Sequence, residues 1–274
     1  MKRNRLALLL ILVIFAFPSI AQVKPLAVSD SLGKLFSRLR ENIPAEKKLG
    51  INDSITGILD SYAASDTVFN HKFSNLRFLG QVTAPDSLLK IITWNLILDD
   101  GANYYFCYLI KRDRKEGAGR IIKMKGSYTD KAERADTLYS AKDWYGALYY
   151  DLKPFEYNGS THYIILGIDY GNSFITRKII DAVTFGKGDE VTFGLNCFSD
   201  GKSLKQRVIF EYSSRAVMSL KFENDVTIVF DHLSPFSPQY RDNHQFYGPD
   251  FSFDSFSLDK GLWRYKADID IKNK

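Results

Sequence analysis

The chain has 274 residues, with 37 Lys and Arg against 32 Asp and Glu, and 14% of its residues are aromatic. That length buries a sizeable core without staples, and the small formal charge of +5 lacks the concentrated basic excess expected of a nucleic-acid binder. The abundance of Tyr and Phe favours pleated sheet, where aromatic side chains pack well.

Residues 1–21 place Lys2, Arg3 and Arg5 ahead of an apolar run from Leu6 to Phe17, followed by Pro18 and Ser19-Ile20-Ala21. This is the order of a secretory signal peptide with cleavage expected after Ala21, an uncleaved N-terminal anchor being the alternative. The apolar run is short of the roughly 20 residues a membrane span needs, so no span is expected after cleavage. Cleavage removes three basic residues and no acid, which lowers the formal charge from +5 to +2. An exported protein, periplasmic or extracellular, is the expectation, and nucleic acid is not an expected partner.

Residues 22–28 read as a flexible lead, opening an N-terminal helical segment over 22–76. Leu32, Leu35, Phe36 and Leu39 repeat at helical spacing behind Ser29 or Asp30 as N-cap. Ile55, Ile58, Leu59 and Tyr62 repeat it behind Asn52 or Asp53. From Arg77 the period changes to that of strands, giving an antiparallel β domain over 77–274. LRFLGQV, LLKIITWNLIL, ANYYFCYLIKR and RIIKMKGSY form a first group, with Asp99-Asp100-Gly101 as its clearest hairpin turn. The basic cluster Lys111, Arg112, Arg114 and Lys115 reads as a solvated turn. Residues 127–146 are irregular, with a turn of helix expected near Tyr139–Tyr145. ALYYDLKPFEY, THYIILGIDY, ITRKIIDAVTF and EVTFGLNCF form a second group; KQRVIFEYS, VMSLKFE and VTIVFDHL form a third, and FSFDSFSL and LWRYKADIDI close the chain. The expected fold is therefore all-β, an antiparallel meander closed as a sandwich or a small propeller, with a short helical segment in front. Cys107 and Cys197 lie in strand-like runs; export would permit a disulfide, and two buried thiols are the alternative.

Chemistry has few footholds. There is no G-x-S-x-G elbow, no H-E-x-x-H or C-x-x-C metal pattern, no EF-hand register and no glycine-rich phosphate loop, so no cofactor and no metal are expected. The remaining concentration is FDHLSPFSPQYRDNHQFYGPDFSFD, Phe230 to Asp254, whose middle, Ser234 to Pro249, is long for an internal connection. Asp231, His232, His244, Asp250 and Asp254, with Trp263 nearby in sequence, make up the candidate cluster. On a strand, Asp231 and His232 point to opposite faces and cannot form a dyad. Two of Asp231, Asp250 and Asp254 could serve as the carboxylate pair of a glycan hydrolase, with Trp94, Trp144 and Trp263 as stacking faces. The competing expectation is structural: the aromatics cover a sheet end, and loss of a buried Phe246 would cost ~3–5 kcal/mol.

The segments IVFDHLSP, FYGPDFSFDSF and GLWRY resemble a group of uncharacterised exported β-rich proteins of Bacteroidetes-type bacteria. The resemblance runs from about Phe78 to the C-terminus and implies export and a shared β fold, with no activity attached. The expectation is an exported β module, non-catalytic, with an envelope polymer, a glycan or a protein as partner.

Overall fold

A computed structural model describes residues 25–98, 103–112, 119–127, 135–188 and 190–270. The helices are α1 (Pro25–Arg38) and α2 (Ala45–Ala63). The strands are β1 (Gly80–Thr83), β2 (Leu89–Ile97), β3 (Asn103–Arg112), β4 (Gly119–Ser127), β5 (Tyr139–Ser140), β6 (Leu148–Tyr157), β7 (Ser160–Asp169) and β8 (Ile175–Phe185). They continue with β9 (Val191–Phe193), β10 (Phe198–Ser199), β11 (Leu204–Lys205), β12 (Val208–Ser213), β13 (Leu220–Asn224), β14 (Thr227–Pro235), β15 (Tyr247–Asp259) and β16 (Leu262–Lys266). The protein is mostly β, as expected, and the strands form three sheets.

The first sheet is the meander β1-β2-β3-β4. The second runs β5-β9-β8-β7-β6, with β12 also paired to β8, and the third runs β11-β10-β16-β15-β14-β13. Pairings are antiparallel except β10 with β16. The sheets stack face to face, and side-chain alternation shows how. Ile91, Tyr105, Cys107 and Leu109 join Tyr163, Ile165, Ile179 and Val183 in the core between the first and second sheets. Their neighbours Ile92, Phe106, Tyr108 and Ile110 face the helices, and Ile164, Leu166, Ile180 and Ala182 face the third sheet. The order of layers is helices, first sheet, second sheet, third sheet. Because the two middle layers are covered on both faces, their strands read as nearly unbroken apolar runs.

The helical segment packs on the first sheet through Leu32, Phe36, Leu39, Ile55 and Leu59. Its boundaries differ from expectation. The lead is helical from Pro25, so Ser29 and Asp30 lie inside α1 rather than at its cap. The second helix begins after Pro44, where Ala45-Glu46-Lys47-Lys48 are strong helix formers. Asn52 is consequently not a cap: it is buried and accepts a hydrogen bond from Trp94 Nε1 at 2.8 Å.

The expected strand groups also need regrouping. EVTFGLNCF is broken by Gly194, whose φ of +101° no side-chain-bearing residue adopts comfortably, so β9 stays in the second sheet while β10 joins the third. The chain then returns through Arg207 to place β12 in the second sheet. Tyr139–Tyr145 holds a short strand and a turn rather than helix. The Asp99-Asp100-Gly101 turn and residues 113–118 of the basic cluster lie outside the described residues; Lys111 and Arg112 stand over the rings of Phe185 and Phe69. Cys107 and Cys197 are free and buried in cores on opposite faces of the second sheet. Among the described residues no helix is long and apolar enough to cross a membrane.

Candidate functional site

The ladder between β14 and β15 continues through Leu233↔Pro249 to Pro235↔Tyr247, so the long connection shrinks to residues 236–246, which hold two short 3-10 turns. A bulge between Asp231 and Leu233 sets His232 against the looser segment of β15 containing Asp250 to Ser252. Phe251 in that segment has φ +72° and is 94% exposed, an unusual conformation for an aromatic residue.

Part of the candidate cluster assembles here. Asp254 is buried and fully engaged: Oδ2 accepts from His232 Nδ1 and Tyr265 Oη, each at 2.8 Å, and Oδ1 accepts from the Asp268 backbone N–H at 3.1 Å. The hydrogen bond to Asp254 raises the His232 pKa above its ordinary value, and Asp250 and Asp268 add to the effect. Among the described residues no hydroxyl or thiol bonds His232, so the Asp254–His232 pair has no nucleophile to activate. Asp250 accepts from the backbone N–H and the hydroxyl of Ser252 in a local turn. Asp231 does not join them; its Oδ2 accepts from the Ser219 backbone N–H at 2.7 Å. The expected carboxylate pair is thus divided among structural bonds.

Trp263 is corrected more sharply. It is fully buried against Phe155 and Phe222 in the core between the second and third sheets, where β16 presents it inward. Trp94 and Trp144 are core residues as well, so none of the three offers a stacking face. Phe246 is half-buried and stacked on Tyr240 at 4.2 Å, so its loss should cost less than that of a core phenylalanine.

His244 belongs to a different network. Its Nδ1 lies 3.0 Å from Glu211 Oε2 on β12; Glu211 Oε1 accepts from Arg177 Nε at 2.5 Å, and Arg177 Nη1 reaches Asp169 Oδ2 at 3.3 Å. Asp169 Oδ1 then accepts from Tyr105 Oη at 2.8 Å. This polar line ties the first sheet, the second sheet and the 236–246 connection together. The His244 bond, with Arg177 beside it, holds Glu211 down at about 2, and the same bond raises His244. The Glu211 contribution to stability is complete above the unfolded carboxylate value of about 4.3 and is lost as pH falls toward 2. The His244 contribution is complete below its unfolded value of about 6.5 and is lost as pH rises past its elevated folded value. Between pH 5 and 2.5 the melting temperature of the wild type should therefore fall more steeply than that of Glu211→Gln; parallel curves would show that the clasp carries no linkage.

Ser-x-x-Lys spacing, used by one class of serine nucleophiles, occurs at Ser31–Lys34, Ser87–Lys90, Ser199–Lys202 and Ser257–Lys260. Lys90 is the instructive case. It is fully buried, and its Nζ donates to Tyr62 Oη at 2.9 Å, Val68 O at 2.6 Å and His71 O at 2.5 Å, leaving it no role toward Ser87. Burial, with Lys72 nearby, pushes its pKa down to about 8. Among the described residues no group of three or more His, Cys, Asp or Glu is placed to hold a metal.

The concave surface with a distinctive lining lies elsewhere, along the seam where the edge of the first sheet meets that of the second. Two adjoining cavities of about 510 and 420 Å³ share Arg77, Leu79, Gly80 and Tyr150. The seam is close because β1 lies against β6 at Gly80, where a Cβ would sit 2.9 Å from the Tyr149 carbonyl oxygen. Lys72 lines one end, Arg40, Phe78 and Tyr170 line the other, and among the described residues no Asp or Glu lines either cavity. Arg40 donates to Asn95 Oδ1 at 3.0 Å and stands 4.4 Å over the Phe78 ring. These residues are scattered from Arg40 to Tyr170 and meet only when the sheets stack, so no local motif announces them. No family model, curated protein or solved structure matches this chain.

Proposed function

We propose that the protein is an exported, non-catalytic β module that binds an extended polymer of the cell envelope in the seam groove. The observation that carries this reading is the groove lining: aromatic and basic side chains set among aliphatic and amide ones, with no carboxylate among the described residues. A concave surface with a few convergent polar groups is the default binding site of a folded domain. Glycan hydrolysis by a carboxylate pair would need two acids facing one cleft, and among the described residues this groove has none. Asp231, Asp250 and Asp254 are spent on hydrogen bonds within the third sheet and its turns. The basic, apolar, small-residue order of residues 1–21 supports the export part.

The test is retention of the purified protein by immobilised envelope polysaccharides in affinity electrophoresis. Wild type should be retarded, Arg77→Ala with Phe78→Ala should migrate freely, and neither should release reducing sugar. Turnover lost in His232→Ala or Asp254→Asn would replace the binding reading with the hydrolase.

A further inference from the structure

We infer that the seam groove is built for an acidic glycan, a sugar polymer carrying carboxylate or sulfate groups along its length. This rests on the reading of the groove as a polymer site and adds the chemistry of what it takes.

Three cations, Lys72, Arg77 and Arg40, line the two adjoining cavities from one end to the other, and among the described residues the lining supplies no acid to neutralise them. Elsewhere in the protein exposed cations do find acids, as Lys123 does in Asp60 and Arg264 in Asp259. The groove departs from that pattern. Arg40 and Arg77 are exposed, and among the described residues the one hydrogen-bond acceptor of Arg40 is Asn95 Oδ1. A guanidinium presents five donors in a planar fork that matches a carboxylate or sulfate two oxygens at a time. The remaining donors of Arg40 therefore suit an anionic group delivered from solvent.

The cations alternate with flat apolar faces. Phe78 and Tyr170 are 38% and 47% exposed and line the same cavity as Arg40. The Tyr150 hydroxyl donates to the Leu220 carbonyl at 3.0 Å, and Lys178 stands 4.2 Å from its ring, which holds that tyrosine in place at the junction of the two cavities. An acidic glycan has both complements, ring faces of C–H groups for the aromatics and regularly spaced anions for the cations. A neutral glycan would leave the cations unmatched. A nucleic acid would use the same charges, but the formal charge of +2 left after the leader and the expected export place no nucleic acid beside this surface.

The experiment is calorimetric titration of the purified full protein with four probes of matched length: an oligogalacturonate, a sulfated oligosaccharide, a neutral malto-oligosaccharide and a single-stranded oligothymidylate. One or both acidic glycans should bind at least roughly tenfold more tightly than the neutral one, and affinity should fall steeply between about 50 and 500 mM salt. The separate carboxylate and sulfate arms identify which anion is preferred. Arg77→Ala should weaken binding about tenfold without changing the melting temperature; Arg40→Ala should weaken it about as much and also lower the melting temperature, because buried Asn95 loses its donor, and Arg40→Lys should recover only part of the binding loss because a lysine lacks the fork. Equal binding of the neutral probe would overturn the acidic specificity while leaving polymer binding intact. Tighter binding of the oligonucleotide would overturn it in favour of nucleic acid, and no binding by any probe would remove both readings.

Discussion

Arg207→Met will lower stability by about 3–5 kcal/mol, because it leaves the Asp181 carboxylate buried without its counter-charge. Both side chains are inaccessible to solvent: Arg207 Nε donates to Asp181 Oδ2 at 2.7 Å and Nη1 to the Thr137 carbonyl at 2.9 Å, and the guanidinium stands 4.7 Å over the Tyr139 ring. Burial already raises the Asp181 pKa, with Arg207 opposing that rise, so the lone acid would be driven further toward its neutral form. At roughly 2–4 °C per kcal/mol for a chain of this size, the melting temperature should drop by about 6–20 °C. Adding Asp181→Leu to Arg207→Met should restore most of the loss, since an apolar pair of similar volume removes the desolvation cost altogether. A single variant that melts within about 2 °C of the wild type would show that water reaches the pair.

Trp94→Ala tests the attachment of the helices. Trp94 has no solvent exposure, stacks on Phe106 at 5.1 Å and 10°, and donates Nε1–H to Asn52 on α2. Truncation to alanine should cost about 3–5 kcal/mol. Trp94→Phe keeps most of the apolar ring but leaves the buried Asn52 carbonyl without its donor, at a cost of about 1–3 kcal/mol. Limited proteolysis supplies a local readout: new cleavage in Trp94→Ala should fall within residues 25–63 before the sheets are cut. Cleavage spread evenly over the chain would mean that the helical layer does not come away by itself.

The fold was largely legible because its strands are covered on both faces and punctuated by turns. Runs such as Ile91-Ile92 and Tyr163-Ile164-Ile165-Leu166 announce strands whatever their partners, and the pleat then sends successive residues into different cores. What could not be read was the sheet to which a strand belongs. Gly194 looks like any strand glycine until its positive φ turns the chain from the second sheet to the third. Asn52 carries the signature of a cap, an Asx residue ahead of an apolar period, yet its partner is Trp94, far along the chain. The candidate cluster was legible in part for the same reason. His232, Asp250 and Asp254 gather because one hairpin carries all three, whereas His244 is drawn to Glu211 on another sheet and Trp263 is turned inward by its strand. The groove residues, dispersed over the turn after α1, the 70s and the edges of the first and second sheets, left no local trace.

The route of the chain between the second and third sheets also bears on how the protein comes apart. The helices and the first sheet are contiguous in sequence, from Pro25 to Ser127, and can open without disturbing any other strand pairing. The other two sheets are braided: β9 lies in one, β10 and β11 in the other, β12 back in the first of them, so neither can lose its pairing without unthreading its neighbour. Hydrogen exchange should accordingly divide the molecule into two cooperative blocks of unequal protection, with the braided pair opening last. The seam groove lies along the boundary between those blocks, so a polymer seated in it would act as a clamp across the joint most ready to open.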